Sequence, residues 1–244
     1  MPDMERVAIV TGGSRGIGRA VAERLAADGQ AVVIGYAGNE VAAKTAVAAV
    51  EAAGGRAVAV RADVAEEGAV AALFDAAEQR YGGVDVVVNA AGVMVLGPVA
   101  QLDLDDLDRM WRTNVRGAFV VAREAARRVR EGGAIINFST SVTRLSLPTY
   151  AAYAAGKGAV EVLGPILAKE LRGRRVTVNS VAPGPTATDL FFDGKDQATV
   201  ERIAGMSPLE RLGTPDDIAK VVSLLAARDS WVNGQTVFVN GGAA

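Results

Sequence analysis

The chain has 244 residues, of which 50% are hydrophobic and 22% charged, and its formal net charge is -2. This composition is typical of a folded globular domain, and it provides no overall positive field that would favour nucleic acid or an anionic membrane. The sequence contains no Cys and no His, so disulfides and thiol chemistry are excluded and we expect no metal centre. Any acid, base or nucleophile must therefore be Tyr, Lys, Ser, Thr, Asp or Glu.

The amino-terminal residues 1–6 contain two acidic side chains and lead directly into an apolar segment. They lack the basic start and the apolar core of a secretion signal. No apolar run in the sequence approaches the ~20 residues that a membrane-spanning helix requires. We therefore expect a soluble, cytoplasmic protein.

Short apolar segments alternate with longer segments of helical periodicity along the whole chain. The pattern predicts strands at 6–11, 31–36, 56–61, 84–88, 134–138, 176–181 and 236–239. It predicts a helix ending near 28 and further helices at 40–53, 66–80, 104–130, 150–171 and 215–227. This alternation is typical of a parallel sheet, because neighbouring parallel strands need crossover connections.

The predicted fold is therefore α/β, with a Rossmann-type, doubly wound, mostly parallel sheet of about seven strands and helices on both faces. No linker, repeat or change of composition divides residues 1–244, so we expect a single domain. An irregular segment at about 188–208 follows the sixth strand. We interpret it as a lid over a binding site, since long loops in compact domains are usually functional.

The segment Thr11-Gly-Gly-Ser-Arg-Gly-Ile-Gly18 follows the first predicted strand and opens the first helix. Bare glycine backbone permits the close approach of a ligand, and the amino terminus of a helix attracts phosphate. The spacing of Gly12, Gly16 and Gly18 differs from Gly-x-Gly-x-x-Gly, so a flexible turn is the alternative interpretation. The position between strand and helix favours a dinucleotide site.

The end of the second strand contacts the adenine ribose in such sites, and it distinguishes NADP from NAD. Here it reads Ile-Gly-Tyr36-Ala-Gly-Asn39, with no acidic residue before Glu40. An acidic residue would repel a 2′-phosphate, whereas the guanidinium of Arg15 in the glycine loop can pair with one. We predict NADP as the cofactor, with NAD as the less favoured alternative.

Tyr153 and Lys157 are four residues apart in a predicted helix, so their side chains lie on one face. In a chain without His, a phenol beside an ammonium makes a proton-transfer group, because the positive charge lowers the tyrosine pKa. The same spacing occurs in ordinary amphipathic helices, which is the alternative for an isolated match. The rest of the sequence must decide between the two.

Further motifs occur in order at the ends of predicted elements: Asp63-Val64, Asn89-Ala-Ala-Gly92, Asn114 in Thr-Asn-Val-Arg-Gly, Pro183-Gly184, and the segments 211–218 and 234–242. With the glycine loop and the Tyr-x-x-x-Lys pair, they resemble the short-chain dehydrogenase/reductase family over nearly the whole chain, and within it the 3-oxoacyl-[acyl-carrier-protein] reductase-like members. The resemblance implies one dinucleotide-binding catalytic domain that interconverts a ketone and a secondary alcohol by hydride transfer. The Tyr-x6-Lys spacing of the related enoyl reductases is not the one found here.

The resemblance assigns the acid/base role to Tyr153. It implies that Lys157 lowers the tyrosine pKa and binds the nicotinamide ribose. Asn114 would hold a water molecule that links Lys157 to solvent; a polar residue facing solvent from a long helix is the alternative.

The catalytic hydroxyl of the family has two candidates in this sequence. The usual separation of thirteen residues from Tyr153, counted without gaps, falls on Thr140. A slip of one residue places Ser141 there, followed by Val as in many members. We favour Ser141 and interpret the preceding Ser139 as structural.

The resemblance also implies a set of cofactor-binding residues at the ends of the strands and on two helices. They are Gly12, Ser14, Arg15, Gly16, Ile17, Gly18, Tyr36, Asn39, Asp63, Val64, Asn89, Ala90, Ala91, Gly92, Asn114, Tyr153, Lys157, Pro183, Gly184, Thr186 and Thr188. Asp63 would lie near the adenine, and a helix cap before Glu66 is its alternative or additional role.

Apolar residues around the predicted site indicate the substrate class. The candidate wall residues are Met94, Val95, Leu96, residues 145–147, Tyr150, Leu190, Phe191, Phe192 and Met206. They favour an uncharged or hydrophobic carbonyl compound, first a 3-oxoacyl thioester and then another hydrophobic ketone or secondary alcohol. A non-catalytic protein that senses dinucleotides is the alternative of a different class.

The family also implies a homo-oligomer, a tetramer or dimer formed through the predicted helices at 104–130 and 150–171. Six arginines near two helix ends have two interpretations: Arg127, Arg128, Arg130, Arg172, Arg174 and Arg175. They complement helix dipoles in solvent, or they receive an acidic acyl carrier protein. We expect no nucleic acid and no membrane as partner.

Overall fold

The computed structural model describes residues 6–244. The interpretation of the amino-terminal segment rests on residues 1–5 and lies outside the described residues. The strands are β1 Val7–Thr11, β2 Ala31–Tyr36, β3 Arg56–Arg61, β4 Val84–Asn89, β5 Val129–Phe138, β6 Thr177–Pro183 and β7 Thr236–Val239. They form one parallel sheet in the order β3-β2-β1-β4-β5-β6-β7.

Helices cover both faces of this sheet, which confirms the predicted fold class. They are α1 Gly16–Ala27, α2 Glu40–Ala52, α3 Glu67–Tyr81, α4 Leu104–Trp111, α5 Gly117–Arg128, α6 Val142–Leu145, α7 Ala151–Glu170, α8 Asp189–Phe192, α9 Gln197–Ala204 and α10 Pro215–Leu225. Every residue of β1 is buried, and successive side chains alternate between the faces, so Ile9 packs in one core and Val10 in the other.

The order of the strands explains where a ligand binds. β1 lies between β2 and β4, and the connections run outward from it in opposite directions, first through β2 and β3 and then from β4 to β7. In an open parallel sheet the reversal leaves a crevice at the carboxyl ends of these strands. The glycine loop follows β1 and the Asn-Ala-Ala-Gly segment follows β4, so both predicted motifs reach this crevice.

The predicted helix at 104–130 is helical from Leu104 to Arg128 but is not α-helical throughout. It consists of α4, a π-helical turn at Arg112–Arg116 and α5, and its last two residues already belong to β5. A π-helical turn adds one residue to a single turn of an α-helix. The apolar periodicity before and after that turn is unchanged, so the sequence pattern does not reveal it. β5 begins at Val129, five residues before the predicted start at 134. The sequence pattern missed this part of the strand because it is polar and glycine-rich, and its pairing with β4 is irregular.

The predicted lid segment at 188–208 contains the two short helices α8 and α9. A 3₁₀ turn at Val99–Gln101 and helix α6 are two further short elements that the sequence pattern did not predict. Among residues 6–244, no helix is both long enough and apolar enough to cross a membrane.

Most of the arginines proposed for an acyl carrier protein form ion pairs or hydrogen bonds with other residues of the chain. Arg128 contacts three carboxylates, on Asp75, Glu78 and Glu124. Arg130 pairs with Asp85, Arg175 with Glu131, and the guanidinium of Arg174 donates to the carbonyls of Ala126 and Val129. These charges are already neutralised or hydrogen-bonded, so the contacts give a carrier-protein interface little support.

Candidate functional site

A cavity of about 580 Å³ lies at the carboxyl ends of the strands and extends from the glycine loop to the lid. It brings together residues from the whole length of the chain. The predicted residues on its wall are Gly12, Ser14, Arg15, Gly16, Ile17, Gly18, Tyr36, Asn39, Asp63, Val64, Ala90, Ala91, Gly92, Thr140, Ser141, Tyr153, Lys157, Pro183, Gly184, Thr186 and Thr188. Of the residues predicted for catalysis or cofactor binding, Asn89 and Asn114 do not line it.

The glycine loop forms a cradle that side chains would fill. Gly12 has φ +65°, and a Cβ there would lie 2.9 Å from the backbone of Ala91. A Cβ on Gly18 would lie 2.3 Å from the carbonyl oxygen of Gly12. Helix α1 begins at Gly16 with no side-chain cap, so its first N–H groups are left for a ligand. This bare backbone at a helix amino terminus fits the pyrophosphate of a dinucleotide.

The end of β2 also borders the cavity, and the segment 36–40 there contains no acidic side chain without a partner. Tyr36 and Asn39 line the cavity there, and the Asn39 side chain also caps α2 by accepting from the N–H of Ala42 at 2.9 Å. The nearby carboxylate of Glu40 is paired with Lys44 at 2.7 Å. The guanidinium of Arg15 is exposed and makes no ion pair among the described residues.

Asp63 lies on the cavity wall after β3, as predicted for a residue near the adenine. One carboxylate oxygen accepts from Arg112 at 2.7 Å and the other from the N–H of Ala65 at 3.0 Å. The hydrogen bond from Arg112 lowers the pKa of Asp63. Asp63 is not the residue that caps α3, since that position belongs to Glu66, which makes no side-chain cap.

Asn89 supports the cavity from behind rather than lining it. Thr11 Oγ1 donates to Asn89 Oδ1 at 2.8 Å and accepts from the N–H of Ala91 at 3.2 Å. This buried relay joins the end of β1 to the loop after β4. The predicted role of Asn89 in cofactor binding is therefore indirect: it fixes the backbone of the loop.

Asn114 lies in the π-helical turn and is 3% exposed, so the solvent-facing alternative is wrong. Its Nδ2 donates to the carbonyl of Val93 at 2.8 Å, and its Oδ1 accepts from the N–H of the same residue at 2.9 Å. Both ends of the amide are thus engaged on the loop after β4. The side chain therefore clamps this loop, and the role of Asn114 as the holder of a water molecule stays a prediction.

Tyr153 and Lys157 lie on the cavity wall, one helical turn apart on α7. Lys157 is 5% exposed, and its Nζ donates to the carbonyl of Phe138 at 2.8 Å, at the end of β5. The same Nζ lies 5.9 Å from the centroid of the Tyr153 ring. The structure thus places both residues of the predicted pair on one cavity wall, and the burial of the lysine excludes the interpretation as a solvent-facing helix residue.

The predicted effect of the lysine on the tyrosine is not found. Burial raises the pKa of Tyr153 to about 12 and lowers the pKa of Lys157 to about 8. The low-dielectric surroundings disfavour both charged forms, and the ammonium is directed at the Phe138 carbonyl rather than at the phenol. The phenol is consequently held in its protonated form at neutral pH.

The three candidate hydroxyls have different partners. Thr140 lies on the cavity wall with Tyr153, and its side chain lowers the pKa of that tyrosine, which opposes the rise caused by burial. Ser141 is 1% exposed, and its Oγ donates to the carbonyl of Ala182 at 3.2 Å. Ser139 Oγ donates to a carboxylate on α7. The contacts thus favour Thr140 over Ser141, which the sequence interpretation preferred, and they agree with a structural role for Ser139.

The wall next to Tyr153 is mainly apolar. Of the predicted pocket residues, Met94, Leu145, Tyr150, Leu190 and Phe191 lie on it. Val95, Leu96, Ser146, Leu147, Phe192 and Met206 do not. Val142, Asp189, Lys195 and Ile203 were missed. Three of these four belong to the lid, where no regular pattern indicated which residues face inward.

A doubly wound parallel sheet with a bare-backbone cradle at its crevice defines a dinucleotide-binding protein. The protonated phenol and the buried lysine at the same crevice provide acid–base groups beside that site. Among residues 6–244, no group of three or more acidic side chains is placed to hold a metal ion. The fold and the site together define the class of dinucleotide-dependent oxidoreductases.

The comparisons with known proteins identify the family. A family model described as enoyl-(acyl carrier protein) reductase matches residues 12–244. A short-chain type dehydrogenase/reductase of Picea abies is 48% identical over 248 residues, covering 97% of this chain and 92% of the relative. An NADPH-dependent aldehyde reductase-like protein, chloroplastic, of Arabidopsis thaliana is 43% identical over 257 residues, covering 99% of this chain and 95% of the relative.

Solved structures agree with these relatives. A short-chain dehydrogenase of Burkholderia cenocepacia, determined in complex with NADP, has a TM-score of 0.91 and 37% identity, and the match covers 98% of each chain. A short-chain dehydrogenase/reductase of Serratia marcescens has a TM-score of 0.92 and 37% identity over the same share. The chain therefore belongs to the short-chain dehydrogenase/reductase family, whose members are oxidoreductases that act on CH–OH and C=O groups.

The lowered pKa of Lys157 predicts a cost to stability that depends on pH. Between pH 8 and 10.5 the unfolded chain binds more protons at this position than the folded chain. The cost is therefore complete below pH 8 and disappears as the pH rises towards 10.5. Lys157→Met should raise the free energy of unfolding by about 2 kcal/mol at pH 7, after loss of the hydrogen bond to Phe138, and should not raise it at pH 10.5.

Urea unfolding of the wild type and of Lys157→Met at both pH values measures this effect. Lys169→Met is the matched control, because Lys169 is an exposed lysine of the same helix and should change little at either pH. A Lys157→Met variant that is less stable than the wild type at pH 7 would contradict the assignment of a buried, protonated lysine.

Proposed function

We propose that the protein is an NADP(H)-dependent reductase of hydrophobic aldehydes or ketones, with Tyr153 as the proton donor. The observation that carries the proposal is that one cavity joins two sites. One is the bare glycine cradle for a dinucleotide; the other is the group of Thr140, Tyr153 and Lys157. A protein that only senses dinucleotides has no need for a phenol, a hydroxyl and a buried lysine gathered beside an apolar pocket.

NADPH, when bound, supplies the hydride for the carbonyl carbon. The chain supplies the proton: the O–H of Tyr153 donates it to the carbonyl oxygen as negative charge develops there. The Thr140 hydroxyl, on the same cavity wall as Tyr153, donates its single proton in a hydrogen bond to the same oxygen and orients the carbonyl. The pKa of about 12 keeps Tyr153 protonated, so the residue is in the form that a proton donor requires.

The other residues would hold the cofactor in place. The cradle at Gly12 and Gly18 admits the pyrophosphate, and Asp63 is positioned for the adenine. Lys157 would donate to the nicotinamide ribose. NADP rather than NAD is supported by the lack of an unpaired acid after β2 and by the free guanidinium of Arg15. It is also supported by the relative named as NADPH-dependent and by the related structure in complex with NADP.

The substrate class follows from the cavity wall. Met94, Leu145, Leu190 and Phe191 favour an apolar body next to the carbonyl, whereas a sugar phosphate would bring an unpaired charge against them. Within this class we propose a 3-oxoacyl thioester first. The engaged arginines favour free thioesters over carrier-bound ones. A different hydrophobic ketone or aldehyde is the alternative, in line with the name of the Arabidopsis relative.

We also propose that the protein assembles as a dimer or tetramer in the cytoplasm. The support is apolar side chains left exposed on three helices: Trp111 on α4, Phe119 on α5, and Val162 and Ile166 on α7. Their exposed fractions lie between 45% and 62%. These helices are those for which the sequence predicted an interface.

The role of Tyr153 is tested by Tyr153→Phe, which keeps the ring and removes the proton donor. General acid catalysis typically contributes about 10²–10⁴-fold, so kcat for ketone reduction should fall by that factor. Binding of NADPH, followed by its fluorescence, should change less than threefold. Tyr150→Phe is the matched control, because Tyr150 also lines the pocket but makes no contact with Lys157. Reduction by Tyr153→Phe at the wild-type rate would refute the proposal.

The role of Arg15 in choosing the cofactor is tested by Arg15→Ala. The KM for NADPH should rise about tenfold, because a charge-assisted hydrogen bond to the 2′-phosphate is lost, while the KM for NADH should stay nearly constant. Arg19→Ala, one turn further along α1 and paired with Glu23, serves as the control. Equal increases for both cofactors would show that Arg15 does not select NADP.

The choice between the two hydroxyls is tested by Thr140→Ala and Ser141→Ala. Thr140→Ala should lower kcat about 10²-fold, since it removes the hydroxyl that contacts Tyr153. Ser141→Ala should mainly lower the melting temperature, because a buried hydrogen bond to the Ala182 carbonyl is lost. The reverse order of the two kcat values would restore Ser141 as the catalytic hydroxyl.

A further inference from the structure

We propose that Glu161 is a positioning residue that holds the Thr140 hydroxyl in place for catalysis. This inference rests on the proposed function, since it concerns the same site. Glu161 lies on α7, one turn beyond Lys157, and does not line the cavity. It therefore acts on the reaction only through the residues that it contacts.

The contacts of Glu161 enclose Thr140 on both sides in the sequence. Its Oε1 accepts from Ser139 Oγ at 2.5 Å and from Thr143 Oγ1 at 2.8 Å. The hydroxyl of Thr143 also lies 2.9 Å from the carbonyl oxygen of Thr140, so its single proton is shared between the two acceptors. One carboxylate oxygen thus fixes the residue before Thr140 and a residue shortly after it.

The loop at 139–141, which carries Thr140, is also bound through its backbone to β6. Ser139 N donates to the carbonyl of Val181 at 2.8 Å, and Ser141 N donates to that of Pro183 at 2.9 Å. These bonds tie the loop to β6. Two side chains of α7 connect the same loop to that helix: Lys157 at its start, through the carbonyl of Phe138, and the Glu161 carboxylate on either side of Thr140.

One face of α7 carries the proton donor and the two side chains that connect this helix to the loop. Tyr153, Lys157 and Glu161 are spaced by four residues and lie one above the other. Tyr153 is the proton donor, and Lys157 bonds to the carbonyl of Phe138 where the loop begins. Glu161 continues this row to the loop itself. The distance between the Thr140 and Tyr153 hydroxyls is consequently set by one rigid helix.

A carboxylate suits this task better than a neutral acceptor. Hydrogen bonds to a charged oxygen are about twice as strong as neutral ones, and one oxygen can accept both hydroxyls. Glutamine retains an oxygen that accepts two hydrogen bonds, whereas alanine retains none. The two substitutions therefore separate the hydrogen bonds from the negative charge.

The test compares Glu161→Ala, Glu161→Gln and the control Glu170→Ala, an exposed glutamate at the end of the same helix. A displacement of about 1 Å in a catalytic group can cost up to about 10²-fold. We expect kcat for NADPH-dependent ketone reduction to fall about tenfold in Glu161→Ala, with the KM for NADPH unchanged. Glu161→Gln should recover most of the loss, and Glu170→Ala should match the wild type.

A double-variant cycle distinguishes positioning from a general loss of stability. If Glu161 acts through Thr140, adding Glu161→Ala to Thr140→Ala should lower kcat by less than twofold. The primary isotope effect with 4-deuterated NADPH should also rise in Glu161→Ala, because a slower chemical step limits turnover. A partly unfolded enzyme would show the wild-type isotope effect.

Each outcome of these experiments supports or overturns the role of Glu161. A tenfold further loss in the Thr140→Ala background, or full activity of Glu161→Ala, overturns the inference while the wild-type activity upholds the proposed function. A wild type that reduces no carbonyl compound overturns both. If Glu161→Ala does not fold, as judged by circular dichroism, the double variant Ser139→Ala/Thr143→Ala removes the same hydrogen bonds and must show the same tenfold loss.

Discussion

The site depends on one buried hydrogen bond, from Lys157 Nζ on α7 to the carbonyl of Phe138 at the end of β5. Burying an ammonium is costly, and the lowered pKa of Lys157 records that cost. In return the bond fixes a long helix against the carboxyl end of the sheet. The position of Tyr153 relative to the loop that carries Thr140 follows from it. The buried ammonium lowers the stability of the fold, and it holds α7 where the protonated phenol of Tyr153 faces the cavity.

The second half of the site is built in the same way, by buried polar contacts between loops. Asn114 clamps Val93, and the relay of Thr11 and Asn89 holds Ala91. A Cβ on Gly92 would lie 3.2 Å from Asn114 and 3.4 Å from the Lys157 ammonium, so a side chain there would press against Asn114. The π-helical turn places Asn114 where it reaches this loop. The cradle for the cofactor and the catalytic groups therefore share one wall.

Much of this was predictable, because strand and helix patterns depend on local sequence. The fold class, the glycine loop and the placement of Tyr153 and Lys157 on one helix face follow from periodicity and spacing. The position of Asp63 follows from the resemblance to the family. Three features do not follow from them: the π-helical turn at 112–116, the preference for Thr140 and the direction of the tyrosine pKa. They depend on hydrogen bonds between residues far apart in the chain and on burial, which spacing along one helix cannot specify. Glu161 was missed for the same reason.

The central claim is that this cavity reduces carbonyl compounds with NADPH. The most direct measurement follows cofactor absorbance with a panel of hydrophobic ketones, aldehydes and free 3-oxoacyl thioesters, with NADPH and NADH side by side. The account predicts oxidation of NADPH with at least one of these substrates and a much slower reaction with NADH. Tight binding of NADPH without its oxidation by any member of the panel would contradict the account.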